Sequence, residues 1–269
     1  MKNLDTSSIK VLIRGGGDLA SGVAWRLHRC GFKVLITEIA HPTAVRRKVS
    51  FCEAVYDGKT EVEGVLAVLI KDADTAYDVW NQRQIPVFVD PRAQTKQVIK
   101  PDVMVDAILA KKNLGTVRED APLVIALGPG FEAGKDAHFV VETNRGHRLG
   151  KLLSAGAAEP DTGVPGPIQG VTSDRVLRAP TDGRWRTTAG IGELVRKGDQ
   201  VGTVDQAPVH ALIDGALRGL IRPGLTVSKG LKIGDIDPRG KKAFCDTISE
   251  KALAISGGVL EGILMYYKH

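Results

Sequence analysis

The chain is short of cysteine, of aromatic residues and of long apolar runs, and each shortage excludes something. Its three cysteines, Cys30, Cys52 and Cys245, are odd in number and far apart, which excludes a disulfide framework and fits free thiols in a reducing compartment. No apolar stretch comes near the ~20 residues of a membrane-spanning helix, and the opening MKNLDTSSIK has no hydrophobic leader segment. A cytoplasmic protein without a membrane partner is therefore expected. Aromatics are 5% of residues, and the basic residues form neither a stripe nor an aromatic-interleaved patch, which argues against nucleic acid as a partner. The spacings HxH, HExxH and CxxC are missing, so no metal site is expected, and no serine or cysteine sits in a recognisable triad.

What is present is a 269-residue chain with 43% hydrophobic residues, enough for one large domain or two modest ones. Its 31 glycines follow no collagen-like period and indicate many turns. A net charge of +6, from 37 basic and 31 acidic residues, suits an anionic ligand and equally a slightly basic surface.

The densest local signal opens the chain: VLIRGGGDLASGVAWRLHRCGFKVLITE, residues 11–38. Ile9 to Arg14 alternates poorly but is mostly apolar, as in central parallel strands. Gly15-x-Gly17-x-x-Ala20 satisfies the dinucleotide fingerprint in its Gly/Ala variant. The first glycine allows a tight turn, the second lets the backbone approach a pyrophosphate, and the small third residue lets helix and strand pack closely. Leu19, Val23 and Leu27 mark one face of a helix that Gly31 stops. A second strand, Lys33 to Thr37, runs into Glu38, 23 residues after Gly15, where a carboxylate accepts ribose hydroxyls and disfavours a 2′-phosphate. Gly15, Gly16, Gly17, Asp18, Leu19, Ala20 and Glu38 are thus the candidate cofactor-binding residues, for NAD or another adenine nucleotide. Asp18 puts a negative charge inside the loop, and Arg14 is placed to offset it.

The α/β pattern continues. His41 to Val49 reads as a short helix bearing Arg46 and Arg47, either near the cofactor mouth or on a solvated face. Strands are expected at Val65–Ile70, Pro86–Val89 and Val103–Leu109, with a helix over Ala73–Gln84. Charged residues at the carboxyl end of a parallel strand occupy the usual ligand edge, which singles out Asp90 and adds Arg92 to the candidate cofactor-binding residues. The segment Ala110–Thr116 either wraps a phosphate or forms a turn. After an apolar strand at Leu123–Leu127, the strand Phe139–Glu142 leads into Thr143–His147, and Glu142, Arg145 and His147 form the densest polar set. They are the candidate catalytic residues together with Asp90, with His147 the natural proton carrier; the alternative is an internal Glu142–Arg145 pair and a turn-capping His147.

Beyond a Gly/Pro-rich stretch at 156–170, either a linker or an active-site loop, the chain repeats itself. APTDG at 179–183 recurs as ALIDG at 211–215, GTVD at 202–205 as GDID at 234–237, and Gly192, Gly198 and Val201 as Gly224, Gly230 and Ile233, always 32 residues on. The pattern of short strands and glycine turns is similar to a biotinyl/lipoyl-type barrel-sandwich hybrid. The turns lack a modifiable lysine, so a docking or scaffold module is favoured over a swinging arm. Residues 246–267 read as a helix with a broad apolar face, covering a sheet or a homodimer partner. The expected fold is an α/β Rossmann-like parallel sheet, then a β-rich region resembling a duplicated barrel-sandwich hybrid, then a C-terminal helix. Its expected boundaries are 1–120, 121–170, 171–245 and 246–269.

Several stretches taken together carry a family likeness: VLIRGGGDLASGVAWRL, RRKVSFCEAVYDG, VDPRA, AILAKKNLGT, ALGPGF, VVETNRGHRLG, RVLRAPTDG and IDGALRGLIRPG with GDIDPRG. Over roughly residues 10–265 the chain resembles the YqeB-type accessory proteins of the selenium-dependent molybdenum hydroxylase system. The resemblance implies a part in maturing hydroxylases such as xanthine dehydrogenase, with that enzyme as client and a molybdenum cofactor as bound cargo. It assigns no catalytic role to any residue. A polyanionic pterin cofactor matches Arg46, Arg47, Arg92 and Arg145 in charge. Two other readings stay open: an NAD-dependent oxidoreductase acting on a small molecule, and a non-catalytic interaction scaffold.

Overall fold

The computed structural model describes residues 5–268, so the first four residues of the N-terminal stretch and His269 lie outside it. The chain forms two compact units that do not follow chain order. The first comprises the chain up to Pro42, Ser50–Asp161 and the segment from Ile248; the second comprises Thr43–Val49 and Thr162–Thr247.

In the first unit the strands are β1 (Lys10–Arg14), β2 (Lys33–Glu38), β3 (Lys59–Val62), β4 (Val65–Ile70), β5 (Ile85–Val89), β6 (Val103–Asp106), β7 (Leu123–Leu127), β8 (Glu132–Ala133), β9 (Phe139–Val141), β10 (Leu152–Leu153) and β11 (Gly156–Ala157). Nine of them make one sheet in the order β10-β9-β7-β6-β1-β2-β5-β4-β3. Pairing is parallel from β9 through β4 and antiparallel only at the β10 and β3 edges. The interior strands are apolar on both faces because helices or loops cover both. Leu12, Leu35, Met104, Val124 and Val140 pack with Trp80 of helix α3 (Ala76–Asn81) and Ile99 of α4 (Lys96–Ile99), while the turn of helix α2 (Ala54–Asp57) lies near β3. Helix α1 (Asp18–Arg29) and the C-terminal α5 (Glu250–Tyr267) lie together over the other face. Their contact is close: a Cβ on Gly22 would stand 2.8 Å from that of Ala252. Ser249 caps α5, its Oγ accepting Ala252 N–H at 3.2 Å. Among the described residues no helix is long and apolar enough to cross a membrane.

Residues 121–161 are continuous with this unit, since β7 and β9 extend its sheet, and α5 returns to it from the far end of the chain. The crossovers from β6 to β7 and from β7 to β9 contain no α-helix, and α5 supplies the apolar cover there. Strand β6 ends at Asp106, short of the expected Leu109, because Asp106 turns its carboxylate back onto Ile108 N–H at 3.2 Å. The helix expected over 73–84 begins with a 3-10 turn and ends at Asn81.

The second unit realises the duplication. One copy is β12 (Val176–Arg178), β13 (Gly183–Arg186), β14 (Leu194–Val195) and β15 (Gln200–Val204); the other is β16 (Ala207–His210), β17 (Gly215–Leu220), β18 (Thr226–Val227) and β19 (Lys232–Asp237). Two four-stranded antiparallel sheets, β12-β19-β17-β14 and β16-β15-β13-β18, each take two strands from each copy. The exchange is reciprocal in detail. Lys197 N–H donates to Asp214 Oδ1 and Lys229 N–H to Asp182 Oδ1, both at 2.7 Å. Gly198 N–H donates to Ala211 O at 2.8 Å, and Gly230 N–H to Ala179 O at 2.9 Å. The aspartates of the two DG turns therefore hold the opposite copy's backbone.

The copies differ in cover. Residues 43–49 lie on β17, with Val45 O where a Cβ on Gly219 would come within 2.6 Å. Arg47 Nε donates to Leu220 O at 2.7 Å, and Arg46 Nη2 to Phe244 O at 3.0 Å and Thr247 O at 2.9 Å. The short helix expected at 41–49 is thus absent apart from one 3-10 turn, Arg47–Val49, because the segment's guanidinium groups bind carbonyls of β17 and of the stretch after β19. Arg218, Asp235 and Asp237 are buried there as ion pairs, Arg218–Asp237 at 3.4 Å and Arg175–Asp235 at 2.5 Å. Their counterparts 32 residues earlier, Arg186, Thr203 and Asp205, are exposed or half-buried.

Candidate functional site

Strand order reverses direction between β1 and β6, and ligands of open α/β sheets bind at the carboxyl ends of the strands beside such a reversal. The glycine loop lies there. Gly15, at φ 93, turns the chain and donates its N–H to Thr37 O at 2.8 Å. Gly16 is covered: its oxygen accepts Cys52 N–H at 2.9 Å, and a Cβ on it would meet Cys52 N at 3.0 Å. Gly17 is the N-cap of α1 at φ −67, makes no side-chain cap, and a Cβ there would meet nothing within 4 Å. There is thus room beside the first turn of α1 at Gly17, where helix N–H groups and the helix dipole favour an anion. Asp18 is the acidic residue of that turn; Leu19 and Ala20 are buried beneath it.

Glu38 is placed as expected at the end of β2, but its carboxylate serves the loop. Oε2 accepts Gly16 N–H and Oε1 accepts Ile39 N–H, both at 2.8 Å. Burial pushes its pKa up, and these two hydrogen bonds pull it back. Beside it Cys52 is 1% exposed. Its thiol is pushed well above the ordinary range, by burial first and then by the carboxylates of Glu38, Glu53 and Asp18. Such a thiol stays protonated and is a poor nucleophile.

The other expected residues share this edge of the sheet but not one cleft arrangement. Asp90 Oδ2 accepts Thr95 N–H at 2.7 Å, closing the turn after β5, and Arg92 is exposed beside it. Glu142 is 2% exposed, with Oε1 accepting Asn144 N–H and Oε2 accepting Glu159 N–H, each at 2.7 Å. Arg145 pairs with Glu250 at 2.5 Å, fastening the loop after β9 to the start of α5; it does not pair with Glu142. His147 is exposed. Among the described residues no group of three His, Cys, Asp or Glu side chains is arranged to hold a metal ion.

Arg14 does not face Asp18. Its Nη1 donates to Thr116 Oγ1 at 2.7 Å and meets Asp106 Oδ2 at 3.4 Å, and its Nη2 reaches Leu114 O at 3.2 Å and Pro91 O at 3.4 Å. Thr116 Oγ1 donates to Asp106 at 2.6 Å, and Asn113 Oδ1 accepts Gly115 and Thr116 N–H at 2.8 Å each. The segment 110–116 is a turn pinned by this network. Sequence reasoning passes over Asp106, although its signal is there: an apolar strand ending in an acid, VMVD, matches LITE at Glu38 and VVE at Glu142.

No family model matches the chain. Over 255 residues, 95% of its length, it is 50% identical to the uncharacterized protein YqeB of Escherichia coli K12. This chain is similar to YqeB. It spans 47% of YqeB, about half that protein's length. Among solved structures, E. coli tRNA N6-threonylcarbamoyladenosine dehydratase TcdA in complex with ATP is 11% identical, with a TM-score of 0.33 over 98% of this chain and 89% of TcdA. An aspartoacylase family protein from Mesorhizobium loti is 11% identical, with a TM-score of 0.27 over 85% of this chain and 84% of its own. At these scores nothing passes from either structure to this one.

Proposed function

We propose that the first unit is a Rossmann-like domain that binds an adenine nucleotide, or the nucleotide portion of a molybdenum cofactor, across the carboxyl ends of β1 and β6. The observation that carries this reading is the open, uncapped N-terminus of α1 at Gly17, beside the strand-order reversal. Phosphates would accept its backbone N–H groups. Glu38 supports an adenosine ribose: after accepting two backbone N–H groups, its oxygens retain lone pairs for hydroxyl groups. Binding without catalysis is favoured, because Asp90, Glu142 and Arg145 already hold loops together and are poorly placed to exchange protons with a ligand. Of the four arginines matched in charge to a pterin cofactor, Arg92 is the one left exposed on the proposed ligand edge.

The pathway comes from the likeness to YqeB-type proteins, and with it we read the chain as an accessory in maturing a selenium-dependent molybdenum hydroxylase. The second unit, read as a barrel-sandwich-hybrid module, would dock the client enzyme through its exposed copy. An NAD-dependent oxidoreductase is the second reading, favoured by Glu38, whose charge disfavours a 2′-phosphate.

Gly17→Val tests the site. The backbone at φ −67 accepts valine and its Cβ meets nothing, so folding is unaffected while the side chain fills the space above the helix. Calorimetric titration with ATP and with NAD is expected to give binding in the natural protein and loss in Gly17→Val at unchanged Tm. Equal binding in both, or none in the natural protein, overturns the reading. Preference for NAD with turnover of a bound substrate would favour the oxidoreductase.

A further inference from the structure

We propose that the amino edge of the nine-stranded sheet holds a second, separate site, a cavity that takes a phosphate-bearing small molecule. Its volume is about 680 Å3, within the range of small-molecule sites. The walls are the C-terminal turns of α1 and α3, the start of β2 and the β3–β4 turn, with Phe32 and Trp80 as apolar surface. Three permanent cations line it, Arg29, Lys33 and Arg83, against a single carboxylate, Glu63. Glu63 Oε1 is already bonded to Ile248 N–H at 2.6 Å.

Among the described residues none of the three cations has an ion pair with a carboxylate. Asp5 acts on Lys33 only through space. Arg29 lies over the Trp25 ring, its guanidinium carbon 4.6 Å from the centroid. Helix C-termini attract cations, which accounts for Arg29 at the end of α1. It does not account for Lys33, which opens a strand.

Arg83 departs from the local rule. Both helices end in the same six-residue motif: Phe32 N–H donates to Leu27 O and Gly31 N–H to His28 O after α1, and Gln84 N–H to Val79 O and Arg83 N–H to Trp80 O after α3. The residue that closes this motif is left-handed and is usually glycine. After α1 it is Gly31, at φ 92; after α3 it is Arg83, at φ 56. A side chain there costs about 1 kcal/mol or more, and what it places in the cavity is a third guanidinium-or-ammonium charge. His28, also in the wall, responds to this field: burial first and then Arg83 hold its imidazole below the ordinary pKa.

The test is calorimetric titration with inorganic pyrophosphate at low ionic strength of the full chain carrying Gly17→Val, which closes the proposed nucleotide site, alone and with Arg83→Gln or Lys33→Gln added. Binding is expected in Gly17→Val, weakened about tenfold, 1.4 kcal/mol, when either amino-edge substitution is added. With the α1 N-terminus blocked by Gly17→Val in every sample, failure here is distinguishable from failure of the nucleotide reading. The His28 imidazole resonances, assigned with His28→Gln, are expected to titrate at higher pH when pyrophosphate is saturating, because a neighbouring anion favours the imidazolium. No binding by Gly17→Val, undiminished affinity when Arg83→Gln is added to it, or an unmoved His28 titration each overturns the proposal.

Discussion

The two edges of the nine-stranded sheet treat charge in opposite ways. At the carboxyl edge, below a recognisable glycine motif, Glu38, Asp90 and Glu142 accept backbone N–H groups, and Arg14 is shared among Asp106, Thr116 and two carbonyls. At the amino edge no motif marks the surface, and Arg29, Lys33 and Arg83 line a cavity with no carboxylate ion-paired to them among the described residues. A charged residue in a motif-bearing loop is therefore not by that fact available to a ligand. Long loops at a parallel sheet's carboxyl ends have many backbone groups to satisfy, and acids ending the strands are the nearest acceptors. What remains open there is the backbone itself, at Gly17.

Three measurements bear on this contrast. The largest effect is expected from Asp106→Ala, which strands the buried Arg14 guanidinium. Urea unfolding should show a loss of about 3–5 kcal/mol, and a loss under about 1 kcal/mol would mean the carboxyl-edge network is not what holds these loops. Arg83→Gly comes next and acts in the opposite sense. It relieves the left-handed backbone at φ 56, so stability should hold or rise by up to about 1 kcal/mol after the extra entropy of the unfolded glycine is deducted. Pyrophosphate affinity should fall in the same variant; a drop in stability would place Arg83 in the structural class. The smallest effect concerns His28. Its folded pKa lies below the ordinary imidazole value, so in the window between them the unfolded chain binds a proton that the folded chain does not. Stability should fall as pH drops through that window and flatten below it. Thermal melts of His28→Gln across the same range should lack that component, and an identical pH profile would remove His28 from the cavity's electrostatics.

Local patterns are the legible part of this sequence. The run from β1 through the glycines and α1 to Glu38 is legible because strand, turn and helix signals there are contiguous. The 32-residue repeat is legible because both copies keep their turn glycines and aspartates. The helix expected at 41–49 fails because its arginines find carbonyls at Leu220, Phe244 and Thr247, 173 to 201 positions away, which no local pattern reports. The same kind of distance hides the role of Arg14, whose partner Asp106 lies 92 residues on.

By itself the sequence determined the α/β opening, the turn chemistry and the duplication, since these depend on side-chain size, backbone freedom and spacing within a few dozen residues. Only the tertiary structure decided which charged groups are bonded and which are open. A hydrogen bond is made with whatever neighbour folding delivers, and for Glu142 and Arg145 those neighbours come from other elements of the fold.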